Sequence, residues 1–144
     1  MKTFHDISIN KDDYQQIIDY SLDLIQKGIN IFLLDGNLGA GKTFFVQQLL
    51  SNLGVNEYIT SPTFSILNTY QSNIGEVYHY DLYRIKHCDE LINLNIEDGL
   101  LAPLMFVEWP QIATSFFAKH NKAIISIAAT QNNCRDFTFL HKIY

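Results

Sequence analysis

The sequence predicts an α/β fold, a three-layer sandwich in which helices cover a central sheet of parallel and antiparallel strands. Residues 30–34 and 104–109 are short, almost wholly apolar runs, which is typical of parallel strands covered on both faces. Strand-like pairs separated by turn residues predict antiparallel hairpins in the same chain. With 144 residues, the chain is long enough for one domain with one core, which we expect to span residues 1–144.

The first half of the chain shows a regular alternation of predicted strands and helices. Residues 3–9 alternate in hydropathy and predict a short strand, and residues 12–27 carry apolar side chains at helical spacing up to the helix-ending Gly28. After the apolar strand at 30–34, a glycine-rich turn leads into a helix predicted over 42–53 and ended by Gly54.

The second half is richer in hairpin signals. Ser72-Asn73-Ile74-Gly75 predicts a turn between strands at 64–71 and 76–82, and residues 131–133 predict a turn between strands at 123–130 and 137–143. Between these hairpins, we expect a short helix at 89–94 and the second buried strand at 104–109, stopped by Pro110.

Composition excludes several classes of protein. The chain is 47% hydrophobic and 17% charged, with 10 Phe and 8 Tyr, which excludes a disordered chain, and 7 Gly with 3 Pro exclude a collagen-like one. The net charge of −5 gives no overall positive field for nucleic-acid phosphates. Any role on a nucleic acid is therefore expected to run through a partner.

The cysteines and the chain start predict the compartment. Cys88 and Cys134 show no metal-ligand spacing, so we expect two buried thiols in a reducing environment. The N-terminus lacks the apolar run of a signal peptide, and no stretch approaches the roughly 18 apolar residues of a membrane span. We therefore expect a cytoplasmic protein without membrane association.

The most informative segment is the glycine-rich turn, Gly36-Asn37-Leu38-Gly39-Ala40-Gly41-Lys42-Thr43, which fits the Walker A pattern G-x-x-x-x-G-K-[ST]. The glycines let successive backbone N–H groups face phosphate oxygens, and the following helix adds its N-terminal dipole. Lys42 is a mobile cation for the β- and γ-phosphates, and the Thr43 hydroxyl is a hard ligand for Mg²⁺. The strand before and the helix after it are the right context, so we expect a P-loop NTPase-like fold with a nucleotide site.

Two carboxylates follow apolar strands and are the candidate catalytic acids, together with Lys42. Glu108 follows four apolar residues and could hold the metal or position an attacking water; the alternative is a strand-end Glu that faces solvent. Asp81 ends the strand predicted at 76–82, and a structural ion pair with Arg84 is its alternative.

The pattern favours ATP over GTP. Asn10-Lys11-Asp12-Asp13 matches the guanine-reading N-K-x-D motif, but it precedes the P-loop and opens a helix, where Asn10 or Asp12 is better explained as a cap. No D-x-x-G follows the P-loop.

Three further strings resemble the TsaE (YjeE) family, small bacterial ATPases of tRNA threonylcarbamoyladenosine modification. They are Ser61-Pro62-Thr63-Phe64 running on to Tyr70, His79-Tyr80-Asp81-Leu82-Tyr83-Arg84, and Glu108-Trp109. Together with the P-loop they follow the family's order over nearly the whole chain. One departure is Asn95, in the segment where the family commonly has a helix-ending Gly; Asn also accepts the left-handed conformation.

The resemblance implies roles for individual residues. ATP phosphates would lie on residues 39–43, with Mg²⁺ on Thr43 and Glu108, and Asp81 near the metal or the attacking water. Thr63 would sit in a mobile switch. Trp109 would lie near the nucleotide or a partner, with core packing as the alternative, and Arg135 would contact the nucleotide, with a solvated Arg as the alternative.

The function that the resemblance implies is an accessory ATPase. Family members work with the TsaB and TsaD proteins, which transfer the threonylcarbamoyl group to tRNA, so tRNA would be held mainly by those partners. Two other functions stay open: a small P-loop kinase, although only Arg84, Lys86 and His87 follow Asp81 where an Arg-rich lid would be needed, and a non-catalytic nucleotide sensor.

Overall fold

Seven strands form one sheet in the computed structural model, which describes residues 2–10, 14–131 and 134–144. The strands are β1 (Lys2–Asn10), β2 (Ile31–Asp35), β3 (Leu67–Ser72), β4 (Gly75–Asp81), β5 (Leu104–Glu108), β6 (Lys122–Ala129) and β7 (Cys134–Lys142). Their order across the sheet is β1-β7-β6-β2-β5-β4-β3.

The centre of the sheet is parallel and its two edges are antiparallel. Strand β2 pairs in parallel with β5 and β6, and β5 pairs in parallel with β4. Strands β3, β7 and β1 add on in antiparallel pairings. The predicted mixed sheet is therefore confirmed, and the carboxyl ends of the parallel strands meet at one edge, where open α/β sheets bind their ligands.

Helices cover both faces of the sheet. The helices α1 (Gln15–Gln26) and α2 (Lys42–Asn52) lie on one face, whereas α3 (Ile96–Leu100) and two 3₁₀ helices (Cys88–Leu94 and Pro110–Phe117) contribute to the apolar cluster on the other. Strand β2 serves both layers, because Phe32 and Leu34 pack with α1 and α2 while Ile31 and Leu33 pack on the opposite side. This alternation confirms three layers and explains why the β2 sequence is continuously apolar.

The predicted ends of α1 and α2 are confirmed, and a residue in the left-handed conformation follows each helix. Gly28 (φ +95°) follows α1, where the Ile29 N–H donates to the Leu24 carbonyl at 3.0 Å. Gly54 (φ +82°) follows α2 in the same way. Asn95, at φ +55° and ψ +35°, separates the first 3₁₀ helix from α3, so this Asn does take the conformation expected of it.

Several predictions about element bounds and short helices are wrong. Strand β3 begins at Leu67 and not at 64, because the Ile66 N–H donates to the Pro62 carbonyl and Ile66 has φ +68°, which closes a turn before the strand. The helix α3 and the 3₁₀ helix Pro110–Phe117 were not expected, since both are too short to show a helical period. Helix α1 begins at Gln15 with Tyr14 at its N-cap position, Asn10 is the last residue of β1, and the suggested cap Asp12 lies outside the described residues.

The prediction of two buried thiols is also wrong. Cys88 is exposed at the start of a 3₁₀ helix, and Cys134 is half-buried as the first residue of β7. Element ends of this kind have one side open to solvent, which the sequence spacing does not reveal. Within the described ranges, no helix has the length and apolarity to cross a membrane.

Candidate nucleotide-binding site

The loop that joins β2 to α2 has a backbone that favours glycine at two positions. Gly39 (φ +78°) and Gly41 (φ +111°, the residue that precedes α2) are both left-handed. A Cβ added to Gly39 would meet no atom within 4 Å, so the backbone there is open to a ligand. At the base of the loop, a Cβ on Gly36 would lie 2.6 Å from the Ile127 carbonyl oxygen, which leaves no room for a side chain. Between these glycines, Asn37 and Leu38 are exposed and Ala40 is buried.

Lys42 lies in the first turn of α2 with its ammonium folded back against the loop. Its Nζ donates to the carbonyls of Gly36 and Asn37 and lies 4.1 Å from the centre of the Trp109 ring. Burial lowers the pKa of Lys42, and the nearby carboxylates, Glu108 before Asp81, oppose that shift only in part. A buried cation beside open backbone N–H groups is suited to an anionic ligand.

Glu108 and Thr43 meet at the mouth of the loop. Glu108 ends β5 with only 3% of its surface exposed, so the alternative of a solvent-facing Glu is wrong. The Thr43 hydroxyl is 3.2 Å from each carboxylate oxygen of Glu108, and His79 Nε2 is 2.6 Å from Glu108 Oε2. A hydroxyl and a carboxylate are hard oxygen donors of the kind that Mg²⁺ binds.

Asp81 ends β4 directly beside Glu108 in the strand register. Its Oδ2 accepts hydrogen bonds from the hydroxyls of Thr63 at 2.8 Å and Ser61 at 3.3 Å, while Oδ1 accepts from the Tyr83 N–H at 2.9 Å. The alternative ion pair with Arg84 does not form, because the Arg84 guanidinium lies over the Phe64 ring at 4.5 Å. Asp81 therefore ties the segment around Thr63 to the edge of the sheet that carries the loop.

Trp109 follows β5 in a left-handed conformation (φ +56°) and lies outside both apolar clusters of the core. Its ring is half-buried, with the Lys42 ammonium on it and the Tyr83 ring 4.9 Å away. The core-packing alternative is therefore wrong, and Trp109 forms one wall of the cleft above the loop.

Arg135 reaches the same loop from β7. Its Nε donates to the Ala40 carbonyl at 3.0 Å and its side chain is half-buried, so it is not the freely solvated Arg of the alternative reading. Beside it lies a cleft of about 200 Å³ lined mainly by apolar groups, among them Tyr14, Phe44 and Phe137. A second cleft of about 270 Å³ is lined by the loop together with Thr63, Asp81, Glu108 and Trp109. All site residues expected from the sequence thus lie on or around one loop.

Sequence reasoning misses the contribution of three side chains to this site. In the sequence, His79 and Ser61 stand out only as members of motif strings, yet both contact the candidate acids. The signal for His79 was present, because residues two apart on a strand share a face and His79 precedes Asp81 by two. Tyr14, noted only as an apolar helix position, lines the cleft beside Arg135.

A glycine-rich loop leading from a buried parallel strand into a helix is the phosphate-binding element of P-loop proteins, and this chain has that arrangement. Its class is accordingly that of a P-loop NTPase-like α/β protein. The family model for the threonylcarbamoyl adenosine biosynthesis protein TsaE matches residues 10–137. The chain belongs to the TsaE family.

Similar proteins carry the same family name. The tRNA threonylcarbamoyladenosine biosynthesis protein TsaE of Treponema pallidum is 30% identical over 116 residues, which cover 80% of this chain and 84% of that protein. The protein of that name from Rickettsia felis is 45% identical over 84 residues, 58% of this chain and 49% of its own length, so the chain spans about half the length of this relative. In fold, the chain is similar to Bacillus subtilis YdiB, with a TM-score of 0.72 and 22% identity over 98% of this chain and 87% of that one.

Proposed function

We propose that this chain binds and hydrolyses ATP with Mg²⁺ as an accessory protein of tRNA threonylcarbamoyladenosine modification in the cytoplasm, acting with TsaB and TsaD. One observation carries the proposal: in a member of the TsaE family, Lys42, Thr43 and Glu108 converge on the open side of a P-loop. The role in tRNA modification rests on the names of the relatives, and the role in ATP binding and hydrolysis rests on the geometry of the loop.

Phosphate binding follows from the loop and the start of α2. The open backbone at Gly39 and the N–H groups at the helix N-terminus offer donors to phosphate oxygens. Lys42 now donates to two loop carbonyls, which are weaker partners than phosphate oxygens. We expect its ammonium to exchange those carbonyls for the β- and γ-phosphates of ATP.

The donor set at the mouth of the loop fits Mg²⁺. Thr43 and Glu108 would hold it, and the ion would neutralise charge on the β- and γ-phosphates. Among the described residues there is no group of three or more His, Cys, Asp and Glu side chains placed for a metal. A small number of protein ligands is normal for a Mg²⁺ site, because phosphates and water supply much of the ion's coordination shell.

Asp81 and Glu108 are the groups that can position the attacking water. Both carboxylates are buried at the ends of adjacent parallel strands and line the cleft that contains Lys42 and Thr43. Asp81 already accepts three hydrogen bonds, so we assign it chiefly to holding the Thr63 segment over the phosphates and Glu108 chiefly to the metal.

The base of the nucleotide fits the apolar cleft beside Arg135. The rings of Tyr14 and Phe44 line this cleft, and Gly39–Gly41 border it on the side of the phosphate loop. A purine could therefore pack on aromatic side chains while its phosphates lie along the loop. The Arg135 guanidinium, already bonded to Ala40, is close enough to this path to contact the nucleotide.

A dependence on partners follows from the cations in this region. Besides Lys42, the described part of the site-bearing segments offers Arg84 and Arg135, and each is engaged, Arg84 with Phe64 and Arg135 with Ala40. Phosphoryl transfer often needs a positioned Arg, which is worth about 10³–10⁵ in rate. We propose that docking of TsaB and TsaD on the segment around Thr63 completes the site, and that these partners hold the tRNA.

ATP binding by single-residue variants tests the nucleotide site. Lys42→Ala should abolish binding in titration calorimetry, because it removes the flexible cation aimed at the phosphates. Lys119→Ala is the matched control, since Lys119 is exposed at the opposite end of the sheet, before β6. Wild-type affinity in the Lys42 variant would refute the assignment, as would an equal loss in the Lys119 variant.

A further inference from the structure

We propose that His79 is a positioning residue that holds the Glu108 carboxylate in the orientation needed for Mg²⁺ and nucleotide. This inference rests on the proposed function, because it concerns the metal that would accompany ATP. The observation behind it is a fully buried imidazole whose Nε2 lies 2.6 Å from Glu108 Oε2.

The two strands place His79 and Glu108 on the same face. In the parallel pairing of β4 with β5, His79 lies opposite Phe106 and Asp81 opposite Glu108. The His79 ring packs edge-on against Phe106, with ring centres 6.3 Å apart and planes at 79°. The imidazole has no exposed surface, so its rotation away from the carboxylate is limited by the packing around it.

The hydrogen-bonding pattern of the ring shows what it does for the site. Because a carboxylate only accepts, Nε2 carries the proton and donates to Glu108. The other nitrogen, Nδ1, is buried and has no hydrogen-bond partner within the described part of the chain. A polar ring with one unpaired nitrogen packs in an apolar layer at a cost in stability. Among the described residues, its bond to Glu108 is the one polar interaction that explains a histidine here in place of an apolar residue.

Holding Oε2 determines how Glu108 faces the loop. The Thr43 hydroxyl approaches both carboxylate oxygens at 3.2 Å, so without His79 the carboxylate could rotate and bond Thr43 in another orientation. Groups that hydrogen-bond to metal ligands fix their orientation, and their loss typically costs about 10–100-fold in metal affinity or activity. Mg²⁺ is sensitive to such a loss because it demands nearly ideal octahedral geometry.

The test compares His79→Leu with His79→Gln by titration calorimetry with ATP, once with Mg²⁺ and once in a chelator. Leucine removes the donor, whereas the Gln amide nitrogen can occupy the place of Nε2 and donate to Glu108. We expect His79→Leu to lose about 10–100-fold of the gain in ATP affinity that Mg²⁺ provides, with metal-free affinity unchanged. We expect His79→Gln to retain most of that gain.

His141→Leu is the matched control, because His141 is also a buried histidine with an unpartnered Nδ1 but lies on β7 away from the loop. It should leave the Mg²⁺ dependence unchanged. A folded His79→Leu protein with the wild-type Mg²⁺ dependence overturns the inference, and so does an equal loss of metal-free binding in the Leu and Gln variants. If the Leu variant fails to fold, His79→Asn replaces it, because the shorter Asn amide cannot reach Glu108. Equal Mg²⁺ dependence in the Asn and Gln variants then overturns the inference.

Two results separate this inference from the proposed function. Wild-type protein that binds ATP no better with Mg²⁺ refutes the metal site and the inference together. Wild-type protein with a Mg²⁺-dependent gain that His79→Leu retains refutes the inference alone. In the metal-free protein, we also expect an exchange-protected His79 Nε2–H signal in NMR spectra that shifts in Glu108→Ala; a signal that does not move overturns the inference without any nucleotide.

Discussion

At the scale of a single residue, the buried ammonium of Lys42 lowers the stability of the folded chain and provides a cation for an anionic ligand. Its ammonium is almost fully buried, and burial lowers its pKa despite the carboxylates of Glu108, Asp81 and Asp35 nearby. The folded chain therefore holds this proton less tightly than the unfolded chain does. Burial of this cation lowers the stability of the free protein, and an anionic ligand that binds the folded state raises that stability again.

The pH dependence of stability tests this view of Lys42. Because the pKa is lowered in the folded state, wild-type stability gains from this group as the pH rises from the lowered pKa towards 10.5, the ordinary value. Lys42→Met has no such proton, so we expect its Tm to exceed that of the wild type at pH 7 and the difference to shrink towards pH 10.5. The exposed Lys119→Met should change Tm little at either pH. A Lys42→Met protein that melts below the wild type at pH 7 would contradict this account.

The residues of the site could be predicted from the sequence to the extent that their motifs are local. The P-loop is a continuous string, so its glycines, Lys42 and Thr43 were identifiable, as were Glu108 and Asp81 at the ends of apolar strands. The bonds of His79 to Glu108 and of Arg135 to Ala40 join residues 29 and 95 positions apart. Such contacts depend on strand order, which hydropathy patterns do not specify.

At the scale of elements, strong apolar periodicity predicted the long helices and buried strands, and turn residues predicted the hairpins. The errors are confined to single turns and short helices. The sequence predicts strand at residues 64–66 because residues of alternating hydropathy follow them. Ile66 instead takes a left-handed conformation, which closes a turn before β3. Short helices such as α3 have too few residues for a period, and tertiary contacts determine them.

The turn at Asn95 gives an element-scale prediction. Asn95 has φ +55°, and the Tyr80 hydroxyl donates to the carbonyls of Leu94 and Asn95 at 2.9 Å, which holds the turn in place. Asn95→Ala should lower the free energy of unfolding by about 1 kcal/mol, since Ala is disfavoured in the left-handed region, whereas Asn95→Gly should be nearly neutral. Urea unfolding measures both, with the exposed neighbour Asn93→Ala as control. An Ala variant as stable as the Gly variant would show that the turn is not strained.

At the scale of the whole molecule, the parallel centre of the sheet gathers the site. Strands β2, β5 and β4 end side by side, and their last residues lead into the P-loop, Trp109 and the Asp81 segment. The segment around Thr63 closes the open side through Asp81, and the exposed Phe64 and Tyr83 flank it. Exposed aromatic side chains beside a functional site are typical of protein interfaces. We therefore expect partner binding and nucleotide binding to influence each other reciprocally.

Steady-state ATP turnover of the purified chain, titrated with the TsaB–TsaD pair, tests the central claim most directly. We expect slow hydrolysis by the chain alone and a saturable acceleration as the pair is added, because the isolated site lacks a free positioned Arg. Glu108→Gln should bind the pair yet remain about 10²-fold slower, since a charge beside the metal is lost. Fast hydrolysis by the chain alone that the partners leave unchanged would contradict the account, and so would the absence of turnover at every concentration of the pair.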